Sequence, residues 1–148
     1  MTPEGEAELI VDEGDVAHLY YDTRGIPTIG IGCNLRDVRV PDALARLITI
    51  TPEASRALFA LRLESAEADV AAHLPWTAQL DTVRRDVVTN MCFNMGIGRL
   101  MARNPLALRA AEHGDYPEAA RQMLDGPWVR QVGDRARRLA RQMETGQR

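Results

Sequence analysis

The run of residues 12 to 35, DEGDVAHLYYDTRGIPTIGIGCNL, leaves this chain the least freedom in what it folds into. Ahead of it, Thr2-Pro3-Glu4 is a helix start, with a hydroxyl to cap, proline in the first turn and acids near the positive end. Leu9, Ile10 and Glu13 fall at i, i+1 and i+4, which puts Glu13 on the apolar face of that helix. Gly14 follows, where a left-handed residue closes a helix. Residues 18 to 33 then alternate as short strands: 18 to 21, a polar turn from Asp22 to Gly25, and 28 to 32. Gly30 and Gly32 strip one strand face of side chains. That fits a close approach by a ligand or another backbone, and equally a bulge or tight sheet corner. Their spacing is not that of a phosphate-binding loop.

Two carboxylates bracket this run. Glu13 sits at a helix C-terminus beside apolar side chains, where the dipole and desolvation both disfavour charge. Such an acid is expected to hold its proton and act as a general acid. Asp22 lies in a polar turn and is expected to stay ionised. Two acids pushed in opposite directions suit glycoside hydrolysis. Spacing alone does not single them out. The chain has 21 acidic residues, most of which would simply solvate a surface. An extended chain could hold positions 13 and 22 roughly 30 Å apart.

Glu13-Gly14, then Tyr20-Tyr21-Asp22-Thr23-Arg24-Gly25-Ile26-Pro27-Thr28-Ile29-Gly30-Ile31-Gly32, resembles the active-site signature of the phage lysozymes of the T4 type, glycoside hydrolase family 24. The Glu-to-Asp and Asp-to-Thr spacings fit without a gap. The resemblance extends through Arg84-Arg85, Asn90-Met91-x-Phe93-x-Met95-Gly96, Glu118-Ala119-Ala120, Trp128-x-x-Gln131 and Arg135-Ala136-x-Arg138. It implies a mostly helical α+β fold in two lobes, with a small antiparallel sheet in the N-terminal lobe and a long connecting helix. By the same resemblance Glu13, Asp22 and Thr28 are catalytic, Asn34, Phe93 and Gln122 bind substrate, and Arg135 orients Glu13. Phe93 would line the sugar cleft, with plain core packing as the alternative. Two positions depart from the family. Cys33 stands where the family commonly has His, and Arg62 where it has the acid that pairs with that His. Both halves of that ion pair are missing, so the family's fold stability and its pH dependence do not carry over.

The rest of the chain reads as helices with clear punctuation. Residues 36 to 48 are a loop with one short helix over 42 to 48. Thr51-Pro52-Glu53 starts a helix that runs to about His73, where Pro75 stops it. Phe59, Leu63, Ala66, Val70 and Leu74 recur along it at steps of four and three. Residues 80 to 95 carry apolar side chains on several faces and are expected at the centre of the second lobe. Asn90 and Asn94, four apart on one face, serve either structure or substrate. Shorter helices follow at 105 to 112, 116 to 124 and 133 to 145. The expected organisation is one lysozyme-like domain: the first helix with residues 14 to 50, the connecting helix at 52 to 73, and a helical lobe from 76 to 148.

At 148 residues the chain supports one compact unit with a sizeable core. Aromatics are only 5%, so Leu, Val, Ala and Met must fill it. A net charge of −3 conceals an asymmetry: residues 121 to 148 carry a local excess of +4, and the first 120 residues carry −7. Arg137, Arg138 and Arg141 form a candidate patch for the anionic wall or outer-membrane lipid, or else a solvated face. All 18 basic residues are Arg, for which we have no functional account. Cys33 and Cys92 match no metal motif and are expected as free thiols, and the three histidines match no triad or metal spacing. The start, MTPEGEAELI, is acidic and lacks the apolar stretch of a signal peptide, and no run approaches transmembrane length.

The expected activity is therefore that of a muramidase or endolysin. It would cleave the β-1,4 bond between N-acetylmuramic acid and N-acetylglucosamine in bacterial peptidoglycan, with inversion, for lysis of a host cell. The partner is peptidoglycan, without nucleic acid, stable membrane insertion, cofactor or metal. A monomer is expected, held in the host cytoplasm until a holin-like membrane factor releases it to the wall in the periplasm. The rivals are a lytic transglycosylase, which needs the acid but not the water-activating Asp, and a non-hydrolytic peptidoglycan-binding remnant of the fold.

Overall fold

The computed structural model describes residues 1–22, 25–36 and 39–148, with the side chain of Asp42 set aside. Thr23 and Arg24, expected in the turn after Asp22, lie outside the described residues. Helices dominate, with one three-stranded antiparallel sheet in the order β1-β2-β3. The chain divides into two compact units, residues 7–64 and residues 1–6 with 65–148.

The first unit holds most of helix α1 (Pro3–Glu13), strands β1 (Val16–Tyr21), β2 (Pro27–Gly30) and β3 (Cys33–Asn34), the short helix α2 (Asp42–Ala45) and the first half of α3 (Pro52–His73). The helix expected over 42 to 48 stops three residues early, as Leu47 N and Ile48 N bond to the carbonyls of Leu44 and Ala45 three residues back. In the sheet Tyr20 pairs with Thr28, and Thr28 with Asn34 on its other side. Direct cross-strand partners share a face, so Tyr20, Thr28 and Asn34 form one row. Leu19, Ile29 and Cys33 belong to the other face and join the apolar cluster with Leu35, Ala45, Val40 and Ile48. Cys33 is thus a core residue here, 6% exposed. The register of β1 against β2 shifts between Val16 and Tyr20.

The second unit contains the rest of α3, a 3₁₀ turn (Pro75–Gln79), α4 (Thr82–Met95), α5 (Ile97–Arg103), α6 (Pro105–Glu112), α7 (Tyr116–Asp125), α8 (Pro127–Val132) and α9 (Asp134–Thr145). Asp81 caps α4, accepting from Arg84 N at 2.9 Å. Residues 86 to 93 of α4 are all buried, so this helix lies inside the unit, as its apolar pattern requires. Arg84 closes the far end of α9: its Nε and Nη2 donate to the carbonyls of Met143 and Glu144 at 2.7 and 2.8 Å. Its guanidinium also stacks 3.7 Å from the centre of the Tyr116 ring. These last-turn carbonyls lack helical partners, and a cation there also meets the negative end of the dipole.

Asp86 breaks the apolar run of α4, yet it is only 5% exposed. Its carboxylate accepts from Thr2 N at 3.1 Å, from the Thr2 hydroxyl and from Arg148 Nη2 at 2.5 Å. Thr2 Oγ1 in turn accepts from Gly5 N at 3.1 Å, the helix cap expected of it. A buried charge is tolerable only when paired and hydrogen-bonded, and here residues from both ends of the sequence supply the partners.

Candidate active site

Glu13 is the last residue of α1 and is half-buried. Gly14, at φ 70°, turns the chain away immediately after it. The Glu13 side chain lies over Gly32: a Cβ built on Gly32 would sit 3.1 Å from both Cβ and Cδ of Glu13, and closer still to Oε2. Gly32 itself has φ 62°. The strand expected over 28 to 32 ends at Gly30, because Gly30 and Gly32 take left-handed φ and turn the chain, and the acid's own side chain packs against that turn. Gly30, at φ 59°, receives Ser55: a Cβ there would sit 2.6 Å from the serine Oγ.

Asp22 closes the β1–β2 hairpin. Its Oδ1 accepts from Ile26 N at 2.8 Å, its own N–H donates to the Ile26 carbonyl at 3.0 Å, and its carbonyl accepts from Gly25 N at 2.9 Å. The carboxylate is thereby fixed by local turn chemistry of the kind Asp is chosen for. Thr28 is 5% exposed and donates its hydroxyl to the Ile26 carbonyl at 2.9 Å. With the proton so committed, Oγ1 keeps acceptor lone pairs. The backbone of the one residue Ile26 thus ties Asp22 and Thr28 together. Asn34, directly across from Thr28, accepts Arg36 N on its Oδ1 at 2.9 Å, which leaves the amide NH₂ as the group to address a ligand.

Tyr20 is a site residue that the sequence reading left inside the motif without a role. It is half-buried, and its hydroxyl donates to the Glu13 carbonyl at 3.4 Å. Burial raises its phenol pKa first, and the charges of Glu13 and then Asp22 raise it further. The phenol therefore stands within the field of both acids. Its position opposite Thr28 was readable from strand alternation once the hairpin turn was fixed at Asp22.

Cys33 is in the apolar cluster, and Arg62 Nη1 donates to the carbonyls of Gly32 and Ile31 at 2.5 and 3.3 Å.

In the second unit Phe93 is 7% exposed on α4. Gln122 lines two surface depressions of about 320 and 380 Å³, and donates its Nε2 to Glu118 Oε1 at 2.7 Å. Arg121 also grips Glu118, with bonds of 2.7 and 2.6 Å, and these contacts hold the Glu118 carboxyl down at about 2. Arg135 is 9% exposed and donates Nε to Asn90 Oδ1 at 3.0 Å. Asn94 Oδ1 accepts from Trp128 Nε1 at 3.1 Å. Of the two uses open to Asn90 and Asn94, the bonds drawn here are structural. The three-arginine patch narrows, because Arg138 is half-buried while Arg137 and Arg141 are exposed. Arg137 is also bound to Asp134 at 2.7 Å.

Cys33 and Cys92 are both buried free thiols, and burial pushes Cys92 up to about 11. The rings of His73 and His113 face the carbonyls of Asp69 and Arg109 one turn back. Among the described residues no group of three His, Cys, Asp or Glu could hold a metal, and no helix is long and apolar enough to cross a membrane.

The chain is also similar to known proteins. The chain is 27% identical over 154 residues to "Probable T4-type lysozyme 1" of Dictyostelium discoideum, covering 91% of this chain and 90% of that protein. It is 32% identical over 154 residues to the "Pre-baseplate central spike protein Gp5" of Enterobacteria phage T4, again over 91% of this chain but only 26% of that much longer protein. The profile of the phage lysozyme family matches residues 11–145. With Glu13, Asp22 and Thr28 all inside that span, the chain belongs to the phage lysozyme family and is a glycoside hydrolase of the lysozyme type.

Proposed function

We propose that the chain is a muramidase that hydrolyses the β-1,4 bond between N-acetylmuramic acid and N-acetylglucosamine in peptidoglycan, with inversion. Glu13 protonates the leaving glycosidic oxygen as the bond to C1 breaks. A water held by Asp22 and the Thr28 hydroxyl attacks C1 from the opposite face and gives its proton to Asp22. Asn34, Phe93 and Gln122 contact the sugar chain, and Arg135 keeps the orienting role that the resemblance implies. One observation carries this reading. Tyr20 stands beside Thr28 on one sheet face, with its phenol in the field of both Glu13 and Asp22. An acid, a base and a hydroxyl able to accept from water thus belong to one neighbourhood of one unit. The wall is the site of action, and release to it by a holin-like factor from a monomeric cytoplasmic pool completes the proposal.

The test is turnover of purified peptidoglycan by wild type, Glu13→Gln and Asp22→Ala, with the product anomer read by NMR. Glu13→Gln keeps the size of the side chain but cannot donate the proton, so a loss of at least about 10²–10⁴-fold is expected. Asp22→Ala should collapse hydrolysis, and fresh wild-type product should be of inverted configuration. Wild-type turnover by Glu13→Gln sinks the acid assignment. 1,6-Anhydro products would replace the hydrolase reading with a transglycosylase. A wild type that binds but does not cleave would leave only a binding module.

A further inference from the structure

The departure at Arg62 has left this chain with a different way of holding its glycine turn. The segment Gly30-Ile31-Gly32 leaves β2 with two left-handed glycines, at φ 59° and 62°, and Gly32 N bonds back to the Gly30 carbonyl at 3.0 Å. Glycine is the residue with most backbone freedom, so such a turn keeps one shape only if something outside it does the holding. Helix α3 does so at two points. Ser55, 2% exposed, accepts Ile31 N at 3.0 Å on its Oγ and donates to Asp15 Oδ1 at 2.8 Å. Arg62, seven residues and therefore two turns further along the same face, donates Nη1 to the carbonyls of Gly32 and Ile31. One clamp takes the N–H of Ile31 and the other takes the two carbonyls that follow. The Glu13 carboxyl rests on Gly32, the residue whose carbonyl Arg62 binds at 2.5 Å.

We propose that Arg62 is a positioning residue for the reaction: by holding the carbonyls of Ile31 and Gly32, its guanidinium fixes the surface on which the Glu13 carboxyl is seated. This rests on the reading of Glu13 as the acid. Guanidinium suits the task because it is permanently charged and its Nη1 alone carries two donors, enough to serve both neighbouring carbonyls. The field at Tyr20 agrees with the placement, since Arg62 lowers the phenol pKa where Glu13 and Asp22 raise it. The family's acid at this position could not make these bonds, because a carboxylate only accepts. Arg62 is therefore a second solution rather than the loss of a first one.

The test compares Arg62→Met, Arg62→Lys and wild type on soluble peptidoglycan oligomers, with kcat and KM separated and the folded fraction measured at the assay temperature. Misplacing a reacting group by about 1 Å costs on the order of 10²-fold. Arg62→Met should therefore lose about 10–100-fold in kcat per folded molecule, with KM within about twofold of wild type. Arg62→Lys, which keeps a charge and a reaching donor, should recover part of that loss. An unchanged kcat per folded molecule in Arg62→Met overturns the proposal, and so does a loss confined to KM or to the folded fraction. If Arg62→Met is unfolded under assay conditions, Arg62→Gln carries the same criterion. Glu13→Gln measured in parallel separates the two readings. If it is inactive while Arg62→Met is normal, only the positioning role fails; if it stays active, the acid assignment fails.

Discussion

Replacing Gly32 by Ala tests the seat of Glu13 directly, and the structure supplies its own control. Alanine at φ 62° pays the left-handed penalty of about 1–2 kcal/mol. At 148 residues that corresponds to a fall in Tm of roughly 2–8 °C. The new methyl would also lie 3.1 Å from Cβ and Cδ of Glu13. Carbon atoms in good contact sit at about 3.5–4.0 Å, so the carboxyl carbon must retreat by roughly 0.4–0.9 Å. Rotation of the side chain alone does not relieve this, because Cβ is fixed to the end of α1. A displacement of that size at the proton donor should cost about 10–100-fold in kcat. Gly114, in the turn between α6 and α7, has φ 78° and nothing within 4 Å of its would-be Cβ. Gly114→Ala therefore carries a similar backbone penalty without the collision. Thermal melts of both variants, with kcat on soluble oligomers, separate strain from misplacement. The expected result is similar losses of Tm and a loss of kcat in Gly32→Ala alone. Equal kcat per folded molecule in both variants would refute the claim that the turn seats the acid.

Three further outcomes are expected. Asp86→Ala should destabilise the protein by about 1–3 kcal/mol, the cost of leaving polar groups of a buried network unsatisfied, because the Thr2 N–H, the Thr2 hydroxyl and Arg148 Nη2 each lose the Asp86 carboxylate as an acceptor; a wild-type urea midpoint would contradict it. Glu118, held down at about 2 by Arg121 and Gln122, should remain ionised through mild acid in a carboxyl NMR titration. Since its folded pKa is depressed, its contribution to stability is present above about pH 4.5 and fades as pH falls toward 2; titration at the ordinary 4.5 would show that these contacts do not persist in solution. Cys92, 2% exposed with its thiol near 11, should resist iodoacetamide at pH 8 in the folded protein and react once urea unfolds it, whereas rapid labelling of the native state would mean that α4 opens readily.

What the sequence disclosed and what it hid divide along a physical line. The limits of α3 were legible because Thr51-Pro52-Glu53 and Pro75 are local signals, and the helix indeed runs Pro52–His73. Gly30 and Gly32 read equally as a bare strand face or a tight corner; the fold makes them a left-handed turn, and nothing nearby announced that Glu13 and Ser55 would pack against it. Helix α5 was not among the expected helices; in the fold Gly96 serves α4 and α5 at once as the end of one and the start of the other. Helix α8 was not among the expected helices, because Asp125-Gly126-Pro127 is a break between helices, yet proline at a first helical position is a helix start as well. Nothing local marks Asp86 as buried and paired, since its partners, Thr2 and Arg148, lie 84 and 62 residues away. Arg62 was harder still. Its sequence reading was framed by a missing ion pair, which is a relation between two side chains and can be seen as present or absent. The bonds it makes instead run to backbone carbonyls, and every residue carries one, so no residue type could have marked the partner. Where a site is built from side chains facing side chains, a motif records it. Where it is steadied by side chains gripping the main chain, as at Arg62, Ser55 and Asp22, only the folded geometry tells which peptide is held.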